Sequence, residues 1–262
     1  MIQLATKDYH TFIHSDNKMK AMIFAAGLGT RLGSITEKTT KALLDINGKT
    51  VLHRAVEKCA LSGFDDIIVN VHHFAEQAEE EIENLRKAGY SIEISDERAG
   101  LLENGGGLYK AKWFFDDRPF LLYNADIVSD YDIKALFRFH QKKGCIATLA
   151  TRHRPGKRFI LVDSEGRLRG WRNIETGEEK LRGVASSEGL DEIAFSSMHI
   201  VEPEIFNYMK PGKYSMIDLY LELAAEKPIY TLKDDKGYWV DVGTPESLER
   251  IRMILSQLPS GS

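Results

Sequence analysis

Short apolar runs alternate along the chain with amphipathic stretches of helical period, and this alternation sets the fold class. MKAMIFAA reads as a buried strand, and TVLHRAVEKCALSG places Val51, Leu52, Ala55, Val56, Cys59 and Ala60 on one helical face before Gly63 stops it. DDIIVNVHHF is strand-like. FAEQAEEEIENLRKAG carries Ala75, Ala78, Ile82 and Leu85 at helical spacing and ends at Gly89, and SIEISDE is another strand. PFLLYNAD holds an apolar run too short for a typical helix, followed by a helix over DIKALFRFHQKKG and a strand in CIATLAT. Such alternation predicts an α/β domain with a mostly parallel sheet and helices on both faces.

From about Arg158 the pattern changes. RFILVDSEGRLRGWRN is two short β runs around Ser164-Glu165-Gly166, a hairpin expected to lie as an insertion over the open edge of the sheet. The chain then returns through IAFSSMHIV, a helix near SMIDLYLELAAEK, the strand IYTL and a final helix from Pro245 to about Leu255. No long linker, low-complexity tract or repeat divides it. The expected organisation is an N-terminal extension over 1–18, whose removal leaves fold and turnover intact, and one domain over 19–258.

With 262 residues and 43 % apolar content the chain can build a sizeable core. A net charge of −4 gives no basic footprint, which argues against a nucleic-acid partner; a small anionic substrate would need a local cluster of cations. Cys59 and Cys145 lack CxxC spacing and suit free thiols in a reducing compartment, so cytoplasm is the expected address. No apolar run approaches the ~18 residues of a membrane span, and MIQLATKDYHTFIHSDNK lacks the apolar core of a signal peptide.

Several motifs drop out on inspection. G-L-G-T-R-L-G is one residue too long for the dinucleotide fingerprint, and the next strand ends at Val69-Asn70 without an acid. Asn47-Gly48-Lys49-Thr50 resembles the end of a Walker motif, but its first glycine falls where Leu43 stands. His72 and His73 are adjacent on a strand end and point to opposite faces, against shared metal ligation.

The stretch MIFAAGLGTRLGSITEKTTKALL survives. A strand ending in Ala25-Ala26-Gly27 permits a sharp turn, and Gly29 lets peptide N–H groups face an anion with no side chain in the way. Arg31 can fork two donors onto phosphate oxygens, and Lys41 adds a point charge. Asp126 follows the apolar strand Phe120-Leu121-Leu122-Tyr123 and so falls at a strand's carboxyl end, where ligands bind in open α/β sheets. A hard cation there needs carboxylate oxygens.

A-A-G-x-G-T-R-L followed by a lysine in K-A-L-L resembles the signature of the sugar-1-phosphate nucleotidyltransferases. EISDERAGLLENGGGLYKA, FLLYNADIVSDYD, AFSSMHIVEPEIF and GYWVDVGTPESL resemble the same family in the same order, over roughly 19–255. Within it the chain is most similar to the compact enzymes typified by N-acetylmuramate 1-phosphate uridylyltransferase. Mannose or heptose 1-phosphate guanylyltransferases and phosphocholine-type cytidylyltransferases stand as alternatives.

The resemblance implies a Rossmann-like mixed sheet with the hairpin on the sugar side, and a reaction of NTP with sugar 1-phosphate giving NDP-sugar and pyrophosphate. It implies catalytic roles for Arg31 and Lys41, nucleotide contacts from Ala26, Gly27, Gly29 and Thr30, and a base held against Glu103, Gly105, Gly106 and Gly107. Asn124 and Asp218 would face the sugar, and Asp126 with Asp241 would hold Mg²⁺. Monomer and dimer both remain open. On this reading a flat base explains the glycine triplet, Trp239 is core, and the two aspartates repel until added Mg²⁺ stabilises the fold.

The chain departs from the family at Thr40, where proline is common, and at Ala125, where glycine is usual. The family's middle-region lysine has no clean match; Lys157, Arg158 and Arg172 are the candidates. The rival from another class is a nucleotide-sugar-binding regulatory subunit, against which the complete set Arg31, Lys41, Asp126 and Asp241 argues.

Overall fold

Strand β1 (Lys20–Phe24) sends Ala21 and Ile23 into the core on one side of the sheet and Met22 into the core on the other, as the two-residue period of a strand requires. The structure, a computed structural model, describes residues 18–27 and 29–258. Residues 1–17, on which nearly all of the expected N-terminal extension falls, lie outside the described residues.

A small hairpin of β2 (Asp45–Ile46) and β3 (Lys49–Thr50) leads into α1 (Val51–Leu61). The Thr50 hydroxyl caps that helix by accepting the His53 N–H at 2.9 Å, and Gly63, at φ +92°, turns the chain away after it. Then come β4 (Asp66–Val71), α2 (Ala75–Lys87), β5 (Ser91–Asp96), α3 (Glu103–Lys110), β6 (Phe120–Asn124), β7 (Ile127–Ser129), α4 (Ile133–Lys143) and β8 (Ala147–Arg152). The remainder runs through β9 (Arg158–Val162), β10 (Leu168–Asn173), β11 (Glu179–Leu181), β12 (Asp191–Val201), α5 (Met216–Leu223), β13 (Ile229–Lys233), β14 (Trp239–Asp241) and α6 (Pro245–Gln257).

The main sheet has the order β11-β10-β9-β12-β6-β1-β4-β5, with β8 also beside β12 and β13 beside β8. β6, β1, β4 and β5 are parallel, and β12 runs antiparallel to β6, β8 and β9. The sheet is the mixed one the resemblance implied. Helices α1, α2 and α4 pack with Ala21 and Ile23 on one face, while α3 and α5 pack with Met22 and Ile68 on the other.

Two expectations are corrected here. The β9–β10 hairpin does not lie over the sheet edge; it continues the sheet, because β12 is 11 residues long and its first residues need partners beyond β6. The glycine triplet lies inside helix α3, which the sequence pattern did not predict: glycine costs ~1 kcal/mol per helical position, and here tertiary packing outweighs that.

A third apolar cluster decides the site. α6, opened by Pro245 and a capping box between Thr244 and Ser247, lays Leu248 and Ile251 against Val128, Val240 and Val242. β14 thereby pairs antiparallel with β7, Asp241 opposite Ile127, and the Val242 N–H donates to the Asp126 carbonyl at 2.9 Å. Two aspartates 115 residues apart in the chain are thus brought side by side.

Cys59 and Cys145 are buried and free. Among the described residues no helix is long and apolar enough to cross a membrane. His140 and His199 are both buried, which pulls their pKa down to about 4 and about 3. A histidine held neutral in the fold but free to charge on unfolding stabilises above its ordinary value near 6.5, and that stability is lost as pH falls toward the folded value. The urea midpoint is therefore expected to hold above pH 7 and drop steadily below 6.5, each histidine costing on the order of 2 kcal/mol by pH 5. A flat midpoint between pH 7 and 5 would contradict this.

Candidate active site

Where β1 ends the backbone turns through Ala26, which is buried, and Gly27, which is exposed. Gly29 has φ +63°, a conformation suited to glycine, and a Cβ there would stand 3.2 Å from both Lys41 Cβ and Thr36 Cγ2. Thr30 begins the 3-10 turn Thr30–Thr36, from which Arg31 reaches out to donate through Nη2 to Asp241 Oδ2 at 3.3 Å. Gly243 makes that reach possible, since a Cβ on it would lie 2.6 Å from Arg31 Nη2 and 2.9 Å from Asp241 Oδ1. The sequence pattern had not singled out Gly243.

Lys41 opens the 3-10 turn Lys41–Leu43, whose N-cap is Thr40. Thr40 is buried with φ −77°, close to the angle a proline would impose, and its hydroxyl accepts the Ala42 N–H at 3.5 Å. The departure from proline therefore leaves the lysine placed. Lys41 is only 7 % exposed, and its Nζ donates to Asp126 Oδ2 at 2.7 Å and to Asp241 Oδ1 at 2.9 Å. The expectation of two aspartates that repel until a metal binds is corrected: the Lys41 ammonium stands between them and, with Arg31 on Asp241, offsets much of their repulsion. Burial pushes the Asp126 carboxyl up from its ordinary range; Lys41 opposes that and Asp241 adds to it.

The donor set suits a hard cation. Asp126 Oδ1 is buried with no hydrogen-bond partner, so it is an acceptor left over after Lys41 is satisfied. No group of three or more His, Cys, Asp or Glu side chains with metal-binding geometry occurs among the described residues. A magnesium-like ion that keeps waters and takes phosphate oxygens needs no more than two carboxylates.

Two cavities adjoin. The first, about 360 Å³, is lined by Ala26, Gly27, Asn70, Glu103, Asn124 and Asp126 among others. The second, about 530 Å³, shares Glu103 and Ser215 with it and brings in Arg154, Arg158, Lys180 and Asp218. Asn124 and Asp218 therefore sit in different cavities. Glu103 (φ +59°) and Ser197 (φ +60°) both line the second, and a non-glycine residue in that region stores on the order of 1–3 kcal/mol, which tends to persist at functional sites.

The glycine triplet has a packing reason of its own. None of Gly105, Gly106 and Gly107 lines either cavity. A Cβ on Gly105 would stand 2.5 Å from the Tyr214 ring, on Gly106 1.9 Å from the Gly212 carbonyl oxygen, and on Gly107 2.6 Å from Glu97 Oε1. The triplet lets α3 pack against protein.

Of the middle-region cations, Lys157 pairs with Glu175 at 2.5 Å and Arg172 with Glu179 and Glu192, and neither lines either of these two cavities. Arg158 does. The residue missed is Arg154, just past β8 in the basic run HRPGKR. Its guanidinium lies 4.1 Å from the centroid of the Trp239 ring, Nη2 donates to the Phe195 carbonyl at 3.1 Å, and Nε is buried without a partner. Trp239 is accordingly more than core: it is a platform for Arg154, with its own Nε1 donating to the Ser196 carbonyl at 3.0 Å.

A family model described as nucleotidyl transferase matches residues 20–257. The chain is 32 % identical over 258 residues to the UTP–glucose-1-phosphate uridylyltransferase of Synechocystis sp., covering 91 % of this chain and 64 % of that one. The chain thus spans just under two thirds of that relative. It is 28 % identical to the N-acetylmuramate alpha-1-phosphate uridylyltransferase of Neisseria meningitidis serogroup B, covering 86 % of this chain and 94 % of that one. The solved structure of the inositol-1-phosphate CTP transferase from T. maritima superposes with a TM-score of 0.74 over 94 % of this chain and 98 % of that one; at 12 % identity this likeness concerns the fold alone. With the family match spanning nearly the whole described chain, and the glycine loop, Lys41 and the paired aspartates gathered at one cleft, the chain belongs to the nucleotidyl transferase family.

Proposed function

We propose that the chain transfers a nucleotidyl group from a nucleoside triphosphate to a sugar 1-phosphate, releasing pyrophosphate and forming an NDP-sugar. The observation that carries this reading is the cluster of Lys41, Asp126, Asp241 and Arg31, beside a cleft that adjoins a second cavity holding Arg154, Arg158 and Lys180. Two polyanions must meet, and cations flank both spaces.

An oxygen of the sugar phosphate forms a bond to the α-phosphorus, and the bond from that phosphorus to the bridging oxygen of pyrophosphate breaks. No protein nucleophile or base is required, because a phosphate monoester is already ionised near neutral pH. The glycine loop at Ala26, Gly27, Gly29 and Thr30 takes the triphosphate. Arg31 and Lys41 donate N–H groups to phosphate oxygens and offset the charge that gathers on the departing pyrophosphate. Asp126 and Asp241 hold a divalent cation, for which we take Mg²⁺; when bound, it neutralises phosphate charge and aligns phosphate oxygens. Glu103 faces the nucleotide, Asn124 the junction with the sugar, and Asp218 the sugar itself.

For the finer substrates, uridine is favoured as the base and an acidic sugar of the N-acetylmuramate type as the acceptor. Arg154, Arg158 and Lys180 outnumber the carboxylates Glu103 and Asp218 in the second cavity, which suits an acceptor carrying a carboxylate besides its phosphate. Pyrophosphate release from the four NTPs, each mixed with glucose, mannose, N-acetylglucosamine and N-acetylmuramate 1-phosphates, is expected to be at least ~10-fold faster for UTP with the acidic sugar. Turnover confined to GTP and mannose 1-phosphate would overturn the finer reading. Nucleotide uptake without pyrophosphate release from any pair would point to a binding subunit and overturn the coarser one.

A further inference from the structure

We infer that Asn70 and Glu97 form a positioning pair that holds the first turn of the phosphate loop in its binding direction. The inference rests on the reading that this loop takes a nucleoside triphosphate. Asn70 stands near the end of β4, opposite Phe24 of β1, and is 2 % exposed. Its Oδ1 accepts two successive loop amides, the Ala25 N–H at 2.7 Å and the Ala26 N–H at 3.3 Å. Its Nδ2 donates to Glu97 Oε1 at 2.8 Å. Asn70 also lines the first cavity, so the pair sits directly behind the loop.

Glu97 is fully buried. Its Oε2 accepts the Leu102 N–H at 3.5 Å, its own N–H donates to the Val71 carbonyl at 2.7 Å, and its carbonyl oxygen lies 2.8 Å from His72 Nδ1. Burial pushes its carboxyl up from the ordinary range, opposed by the hydrogen bonds from Asn70 and Leu102 and by the charges of Lys110 and His72. A buried carboxyl group is costly to the fold, so its presence calls for a role.

That role is to choose the face of an amide. The two ends of an asparagine side chain are nearly the same shape but opposite in hydrogen-bonding sense. An acceptor at Glu97 draws the NH₂ end away from the loop and leaves the carbonyl end for Ala25 and Ala26. Flipped, the amide would set two donors against two donors. Gly107 belongs to the same device, because a Cβ there would stand 2.6 Å from Glu97 Oε1 and 3.2 Å from Asn70 Nδ2.

The test exchanges donor and acceptor. Asn70→Asp alone sets two carboxyl groups against each other; it is expected to weaken UTP binding at least ~10-fold and to speed hydrogen exchange of the Ala25 and Ala26 amides by a similar factor. Adding Glu97→Gln restores a donor facing an acceptor in the opposite sense, leaving oxygens for Ala25, Ala26 and Leu102. Asn70→Asp/Glu97→Gln is therefore expected to return both readings to within about threefold of wild type, whereas Asn70→Ala/Glu97→Gln is not. A merely structural role would let melting temperature recover without UTP affinity.

The inference is overturned by a folded Asn70→Asp variant with wild-type exchange and affinity. It is equally overturned by a double variant that fails to fold, or folds without recovering them. Should Asn70→Asp itself not fold, recovery in the double variant still supports the pair. A wild-type chain that binds no nucleoside triphosphate overturns the functional reading instead, and the amide exchange then still decides whether the pair holds the loop.

Discussion

Lys41→Met is expected to slow pyrophosphate release by at least ~10³-fold, since it removes a donor that offsets charge on the phosphates and the cation that organises both aspartates. Methionine keeps much of the buried stem, so the protein should fold, at a cost of about 1–3 kcal/mol; breaking a buried pair costs more, but Asp126 and Asp241 are each 33 % exposed and water recovers part of the loss. The metal response separates this from a simple loss of charge. In the wild-type protein the ammonium already bridges the carboxylates, so Mg²⁺ alone has to compete with it. In Lys41→Met the pair has lost that ammonium, and Mg²⁺ at about ten times its Kd adds roughly 1.4 kcal/mol to the folded state, or about 3–5 °C in Tm for a domain of this size. Calorimetry with and without Mg²⁺ on both proteins checks this. An equal metal response in the two would show that Lys41 and the ion do not share the carboxylates.

Gly106→Ala, and more severely Gly106→Val, is expected to cost stability, not affinity for one substrate. The added Cβ would fall 1.9 Å from the Gly212 carbonyl oxygen and 3.0 Å from Leu102 Cβ, and the first of these is backbone that must move. Gly212 itself sits at φ +137°, so the segment facing α3 cannot be repaired by an ordinary residue there. Overpacking of this kind costs about 3 kcal/mol, or on the order of 10 °C in Tm. The KM values for NTP and acceptor should move together. A Gly106→Ala protein within 2 °C of wild type whose NTP KM alone had risen by an order of magnitude, roughly the effect of one lost contact, would return the triplet to the base pocket.

What the sequence carried by itself was local. The strands β1, β4, β5, β6 and β8 follow from apolar runs, and α1, α2 and α4 from helical spacing ended by Gly63, Gly89 and Gly144, all three at positive φ. The caps Thr50, Asp132 and Thr244 were not singled out in the sequence, although each is a local contact between residues three apart. Gly29, Arg31 and Lys41 could also be singled out from the sequence, since the loop proposed to take phosphate is built from residues close together in the chain. The resemblance to a family then supplied what spacing could not, the pairing of Asp126 with Asp241.

Only the tertiary structure decided the rest. That Asp241 reaches Asp126 depends on β14 pairing with β7 under α6, and no local pattern encodes a three-residue strand's partner. The place of Lys41 between the carboxylates, the seat of Arg154 on Trp239 and the reach of Arg31 past Gly243 each join residues at least 85 apart in sequence. α3 was hidden because helix propensity counts glycine as a loss, while the structure counts the space it leaves for Tyr214, Gly212 and Glu97. Glu97 lies inside EISDERAGLLENGGGLYKA without being singled out there; its burial beside Asn70 is what points to its oxygens setting the direction of an amide, and through it the loop.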